Sequence, residues 1–147
     1  RDTEWGILIL FGGGLCLSAV LSDTGASTFL ALEISNLVNQ LPLYVSLLII
    51  TVALVFLTEF ASNTATAALF IPVLVTVASQ LNISPVVVSV LAGVATSCAF
   101  MLPAATPANA FVYSTNFVPL RAMLRVGFVM NIIISFVLCS YAYFVWV

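Results

Sequence analysis

Two short polar interruptions in an otherwise apolar sequence constrain this chain most. Ser62-Asn63-Thr64 separates the apolar runs 43–57 and 65–78, and residues 103–109 interrupt the apolar run that follows. In hydrocarbon an unpaired backbone polar group costs several kcal/mol, so such a break persists only where it is buried in protein or lines a cavity. Interrupted helices that meet within a membrane form the substrate and ion sites of secondary transporters. The two breaks therefore predict a binding site inside a helical membrane protein.

The composition agrees with an all-α integral membrane protein surrounded by lipid. Hydrophobic residues make up 63% of the 147 and charged residues 5%, a balance that the surface of a soluble domain does not tolerate. The apolar stretches have the length of helical spans rather than the short alternation of a membrane barrel. A net charge of −2 without a basic face argues against a nucleic-acid partner, and the absence of His removes the usual base for a nucleophile. We therefore predict no enzyme activity and no catalytic residues.

The sequence divides into three parts. Residues 1–41 combine an apolar span, residues 5–21, with a mixed polar and apolar stretch, residues 26–40, which suits a scaffold-type span followed by an amphipathic helix in the membrane interface. Residues 42–118 contain both breaks and form the transport-type region. Residues 119–147 form the last transmembrane helix, which starts at about Val126 and ends in interfacial aromatic residues.

Within the transport-type region, residues 43–80 have two interpretations. Either both apolar arms cross the membrane and the tripeptide is an ordinary loop, or they form a re-entrant helical hairpin whose tip stops inside. A surface loop would normally carry charge or a longer polar stretch, and here Glu59 is the only charge, so we favour the hairpin. Residues 84–118 are then expected to form one discontinuous transmembrane helix, with apolar residues 86–102 before the second break.

Positive charge predicts the orientation. Arg121 and Arg125 precede the last span, and no basic residue follows them. The positive-inside rule then places this start in the cytoplasm, the C-terminus outside and residues 82–85 on the external face. The predicted protein is a multi-pass protein of the cytoplasmic membrane.

The chemistry of the breaks suits an anion and a monovalent cation. Asn63 and Thr64 lie where the second arm begins, so the unpaired N–H groups of a helix start can hold a carboxylate there without Lys or Arg. Thr106 and the backbone around Pro107 add donors from the other break. Carbonyl, hydroxyl and amide oxygens near Thr58 and Ala61 suit Na⁺. Because these segments contain no fixed positive charge, a bound dianion needs co-bound cations. This need couples the binding of the anion to the binding of the cations.

Two questions stay open at the level of residues. Glu59 is either a buried acid for proton coupling or a hairpin-tip residue paired with backbone groups. The polar breaks as a whole have an alternative interpretation as hydrogen-bonding contacts between membrane helices, since Ser, Thr and Asn commonly serve that purpose.

Two longer segments resemble a known family. Residues 58–65 (Thr-Glu-Phe-Ala-Ser-Asn-Thr-Ala) and 101–109 (Met-Leu-Pro-Ala-Ala-Thr-Pro-Ala-Asn) resemble the second inverted repeat of the divalent anion/sodium symporter family, the bacterial sodium-coupled dicarboxylate transporters. The match extends through residues 12–15 and 125–127, so it covers essentially the whole chain. One position departs from the pattern, because Ala108 stands where family members usually have a second proline.

The resemblance implies specific roles for the break residues and for the missing part of the protein. Asn63 and Thr64 are expected to contact a substrate carboxylate that Thr106 and Pro107 flank, and Ser62 joins this substrate set. The sodium set consists of Thr58, Ala61, Asn63, Ala105 and Asn109. Family members have two inverted repeats and work as homodimers by an elevator mechanism. This chain contains one repeat, so the N-terminal repeat of the same transporter is an expected partner.

The predicted function is sodium-coupled symport of four-carbon dicarboxylates such as succinate, malate or fumarate, with this chain as the C-terminal half. One alternative keeps the fold but makes the protein a sodium-independent dicarboxylate exchanger. Another is a non-transporting membrane assembly subunit in which the polar breaks only connect helices.

Overall fold

The structure is a computed structural model that describes residues 41–80 and 82–146 and, before them, residues 12, 13, 16, 19, 20, 23–26, 29, 32, 33 and 36. The predicted first span and interfacial helix within residues 1–41 therefore lie largely outside the described residues. From residue 41 onward, the described chain is helical and contains no strand. Its helices are α1 (Leu43–Leu57), α2 (Asn63–Gln80), α3 (Pro85–Ala95), α4 (Pro107–Ser114) and α5 (Leu120–Trp146). The predicted all-α fold class is confirmed for this part.

Proline marks the start of three of these helices. Pro42 is the N-cap of α1, while Pro85 and Pro107 are the first residues of α3 and α4. Proline suits these positions because its φ is already helical and its missing N–H would have had no partner there. Asn82, with a φ of 56°, turns the chain between α2 and α3, a left-handed conformation that Asn tolerates better than most residues.

Helix length separates α5 from the others. At 1.5 Å per residue, α1 to α4 are about 22, 27, 16 and 12 Å long and α5 about 40 Å, against a hydrocarbon core of about 30 Å. Among the described residues, 120–145 form the one helix that is long and apolar enough to cross a membrane. The helix begins at Leu120 rather than near Val126 as the sequence suggested, so Arg121 and Arg125 lie in its first two turns.

The helices pack in pairs around an apolar core. α2 packs chiefly on α3 and α1 on α5, while α3 also contacts α1 and α5. The α1 and α5 helices are antiparallel, because the hydroxyl oxygens of Tyr44 and Ser140 lie 3.0 Å apart at one end and the rings of Phe56 and Phe128 lie 5.6 Å apart at the other. The core contains side chains of α1, α2, α3 and α5, whereas α4 buries none.

The α3 helix ends at Ala95, about two turns before the end of its apolar run. The predicted helix through Leu102 was therefore too long. The hydroxyls of Thr96 and Ser97 both donate to the Gly93 carbonyl, at 3.1 and 3.0 Å, and side chains from elsewhere bind the backbone that follows. The result is a break loop, residues 96–106, between α3 and α4.

Candidate functional site

The segment between α1 and α2, residues 58–62, forms the tip of the predicted hairpin and carries two buried polar side chains. The hydroxyl oxygen of Thr58 lies 2.8 Å from the Thr96 carbonyl oxygen and 2.5 Å from Asn63 Oδ1. A hydroxyl has one proton, so it can donate to only one of these oxygens. Oxygens from the tip, the start of α2 and the break loop therefore converge at Thr58.

Glu59 fastens the tip to the break loop. The side chain is 2% exposed, and one carboxylate oxygen accepts the N–H groups of Phe100 at 2.7 Å and Met101 at 2.9 Å. The other oxygen accepts the N–H of Leu102 at 3.0 Å. Three consecutive N–H groups that point at one anion form a nest, a common way of binding an anion with backbone alone. In the break loop this nest holds the protein's own carboxylate.

The carbonyls of the same loop are bound by Asn109. Its side-chain Nδ2 donates to the Ala99 and Leu102 carbonyls at 2.9 and 3.1 Å. The N–H groups of residues 100–102 are thus bound by one side chain, and the carbonyls of residues 99 and 102 by another. These side chains provide hydrogen bonds for peptide groups that lie outside any helix.

The last helix supports this arrangement from the opposite side. Asn131 in α5 is fully buried and donates its Nδ2 to Glu59 Oε1 at 2.7 Å. One turn earlier, Gly127 touches the break loop so closely that an added Cβ would overlap the Phe100 carbonyl oxygen and lie 2.6 Å from Met101 Cα. The tip, the break loop and α5 therefore meet at one point.

The predicted substrate residues lie at the first turns of α2 and α4. Ser62 caps α2, since its carbonyl accepts the Thr66 N–H at 2.8 Å, while the Ala65 N–H lies 3.5 Å from its hydroxyl. Asn63 and Thr64 begin the helix, so their N–H groups have no partner within it. These amides point out of the helix start, as the sequence predicts for a carboxylate site.

The side-chain hydrogen bond that caps the start of α4 is shorter than the one at the start of α2. The Thr106 hydroxyl accepts the Asn109 N–H at 3.1 Å, and Pro107 has no N–H to offer. The first-turn amide that capping leaves for a ligand is that of Ala108. Alanine at this position, where the family usually has proline, therefore adds a donor at the predicted substrate site.

The predicted sodium residues are brought together only in part. Thr58 and Asn63 are in direct contact, and Asn109 binds the loop that also binds the tip. The N–H groups of Ala61 and Ala105 donate to the carbonyls of Leu57 and Leu102, at 3.2 Å each. The group by which each alanine could bind a cation is its own carbonyl oxygen. We call the converging oxygens of Thr58, Asn63 and Thr96 the Thr58 cluster. Its hydrogen bonds do not include Ala61 or Ala105.

Sequence reasoning missed the contribution of α5. Gly127, Asn131 and Ser135 recur at four-residue spacing and all are buried, which places them on one helix face. Small and polar residues on one face of an apolar membrane helix are typical of a helix interface. That spacing is the signal by which this face could have been found.

Several hydroxyl groups elsewhere in the helices are satisfied locally. Those of Thr51, Thr76 and Ser135, for example, donate to the carbonyl one turn back, at 2.7, 3.3 and 2.7 Å. Side-chain hydrogen bonds that join separate segments concentrate at the tip and break loop, with Tyr44 joining α1 to α5 through Ser140 and the Cys139 thiol. The two breaks are thus bonded to each other and to α5.

A membrane protein with paired helix breaks of this kind has the architecture of a secondary transporter. The family model described as "Sodium:sulfate symporter transmembrane region" matches residues 1–147, and the chain belongs to this family. The matched family comprises transporters rather than enzymes, in agreement with the absence of predicted catalytic residues.

Curated relatives cover nearly the whole chain. An uncharacterized transporter of Haemophilus influenzae is 43% identical over 145 residues, 99% of this chain and 32% of the relative. The sodium-dependent dicarboxylate transporters SdcS of Staphylococcus saprophyticus and Staphylococcus aureus are 40% and 35% identical over 98% and 99% of the chain, and 28% of each relative. The chain thus spans about a third of the length of these relatives.

Proposed function

We propose that the chain is the C-terminal part, about a third by length, of a sodium-coupled symporter for four-carbon dicarboxylates such as succinate, malate or fumarate. The observation that carries this proposal is the convergence of Thr58, Asn63 and the Thr96 carbonyl between two helix breaks. The names of the SdcS relatives, which are sodium-dependent dicarboxylate transporters, agree with it.

The roles of the residues follow from what each group can do. The N–H groups of Asn63, Thr64 and Ala108 bind substrate carboxylates, and Ser62, Thr106 and Pro107 shape the two helix starts that present them. Oxygens of Thr58, Ala61, Asn63, Ala105 and Asn109 bind sodium. The buried ionisable group beside this site is a carboxylate, Glu59, so a dianion needs cations to bind with it.

Helix length supports the proposed membrane arrangement. The α1 helix, about 22 Å long, is shorter than the hydrocarbon core, as expected for the first arm of a re-entrant hairpin. The α3 and α4 helices, separated by the break loop, form the two parts of one discontinuous helix. With the N-terminal repeat, this unit forms an inverted-repeat transporter that works as a homodimer in the cytoplasmic membrane by an elevator motion.

Sodium dependence tests the function. We expect the complete protein, reconstituted in vesicles, to take up succinate in sodium with a dependence steeper than first power, and to take up almost none in choline. Thr58→Val should raise the half-saturating sodium concentration roughly fivefold to tenfold, because a hydrogen-bonding group worth about 1 kcal/mol is lost. Excess sodium should partly restore uptake, and Thr58→Ser, which keeps the hydroxyl, should resemble the unsubstituted protein. Equal uptake in sodium and choline would favour the exchanger instead.

The proposed orientation predicts opposite accessibility at the two ends of the discontinuous helix. In a background without Cys16, Cys98 and Cys139, a cysteine at Ser84 should react with an impermeant thiol reagent from outside, and one at Arg121 from inside. Both positions are exposed, and Ser84 avoids the left-handed backbone of Asn82. Labelling of both from the same side would contradict the arrangement.

A further inference from the structure

One buried hydroxyl differs from all the others in the described part of the chain. The buried hydroxyl side chains are Ser46, Thr51, Thr58, Thr66, Thr96 and Ser135. Five of them have hydrogen-bond partners, whereas the Thr66 hydroxyl oxygen has none although the residue is 3% exposed. A buried polar group without a partner is rare and calls for a ligand, an ion or an ordered water to complete it.

Thr66 lies one helical turn along α2 from Asn63, which contacts Thr58. Thr66 follows Asn63 by three residues, so the two side chains lie on the same helix face, about 5–6 Å apart at their Cβ atoms. The Asn63 side chain on that face already contacts Thr58. Thr66 therefore stands beside the converging oxygens, one helical turn further along α2.

The packing of α2 brings its first turns near the break loop. The α2 helix packs chiefly on α3. A short link joins these two helices, so they run antiparallel and the start of α2 lies at the end of α3. The Thr96 carbonyl, to which Thr58 donates, lies at that end.

We propose that the Thr66 hydroxyl is a further oxygen ligand of the cation bound at Thr58 and Asn63. This inference rests on the proposed sodium coupling and adds a residue to the site. A neutral hydroxyl oxygen is a ligand that sodium accepts, and binding the cation provides the partner that the protein itself does not supply. Neither the break motifs nor the predicted sodium set includes this position.

Thermal unfolding of the complete protein in sodium chloride and in choline chloride, without dicarboxylate, tests the assignment. A cation that binds only the folded state stabilises it by RT ln(1 + [Na⁺]/Kd), so the unsubstituted protein should be more stable in sodium. Thr66→Val should raise the sodium concentration that gives the same increase in unfolding temperature by roughly threefold to tenfold. In choline the variant should be as stable as the unsubstituted protein or more so, because it removes a buried group without a partner. Thr66→Ala, which removes the hydroxyl together with the γ-methyl group, should give the same sodium shift.

Two matched controls make the result specific. Thr66→Ser keeps the hydroxyl and should retain the original sodium response. Thr76→Val, in the same helix, removes a hydroxyl that donates to the Pro72 carbonyl at 3.3 Å, and should change stability equally in both salts.

Three outcomes would overturn the assignment. An unchanged sodium response in both Thr66→Val and Thr66→Ala, while Thr58→Val weakens it, would exclude Thr66 as a ligand and leave the proposed function intact. An equal loss of stability in sodium and choline would assign the hydroxyl to an ordered water. The absence of any sodium effect on the unsubstituted protein would overturn both the proposed function and this inference.

Discussion

Replacement of Glu59 by glutamine is expected to destabilise the complete protein by about 2–4 kcal/mol and to abolish dicarboxylate transport. Glutamine has one acceptor oxygen, which can keep the Phe100 and Met101 amides and Asn131. Its NH₂ group would then face the Leu102 N–H, which now lies 3.0 Å from the carboxylate. One charge-assisted bond is lost, the others lose their charge and a donor is left buried, which gives the estimate. Chemical unfolding and substrate uptake measure the two effects.

The prediction for Glu59→Gln has a matched control and an outcome that would contradict it. Glu33 is exposed, so Glu33→Gln makes the same chemical change and should alter stability by less than about 0.5 kcal/mol. A proton-coupling acid would behave differently, because its neutral glutamine variant would keep the fold and lose only the pH dependence of uptake. Full stability of Glu59→Gln with such a loss would therefore restore the proton-coupling interpretation of Glu59.

Substitution of Gly127 by alanine is expected to have a comparably large effect through geometry alone. The new Cβ would overlap the Phe100 carbonyl oxygen and lie 2.6 Å from Met101 Cα, both of them backbone atoms that cannot rotate away. Either α5 or the break loop must move, and the bond between Asn131 and Glu59 lies one turn further along α5. We expect a loss of about 1–3 kcal/mol of stability, as for overpacked cores, together with a strong loss of uptake.

Gly93 in α3 provides the matched control for this substitution. A Cβ added there meets no atom within 4 Å, so Gly93→Ala should be neutral or stabilise the helix by up to about 1 kcal/mol. Equal behaviour of the two alanine variants would contradict the close approach of α5 to the break loop.

The starts of α1, α2 and α3 could be predicted from the sequence because their signals are local, whereas α5 begins at Leu120 and not near Val126. Pro42, Pro85 and Pro107 each stand at the beginning of a helix, and the Ser62-Asn63-Thr64 tripeptide begins α2. Proline geometry and side-chain caps act within a few residues, so these boundaries need no knowledge of the rest of the fold.

The end of α3 could not be predicted in the same way. Residues 96–102 contain no Gly or Pro, and an apolar run continues through them. The helix ends because Thr58 and Glu59, about 40 positions earlier in the chain, take the peptide groups that would have extended it. Tertiary partners that compete for the backbone leave no local signal, and for the same reason the bond from Asn131 to Glu59 appears only when the helices are placed together.

The length of α5 also allows the depth of the break loop in the hydrocarbon core to be worked out for a helix that spans the membrane. The helix is about 10 Å longer than the hydrocarbon core, and its arginine-bearing first turns account for most of that excess, so Arg125 marks one boundary of the apolar layer. Asn131 follows six residues later, about 9 Å below that boundary and about 21 Å from the opposite one for a helix along the membrane normal. Since Asn131 binds Glu59, the break loop of a protein oriented in this way would lie at the same depth, off the bilayer centre. A solute approaching from the arginine-bearing side would then travel less than half the distance that it would from the other side.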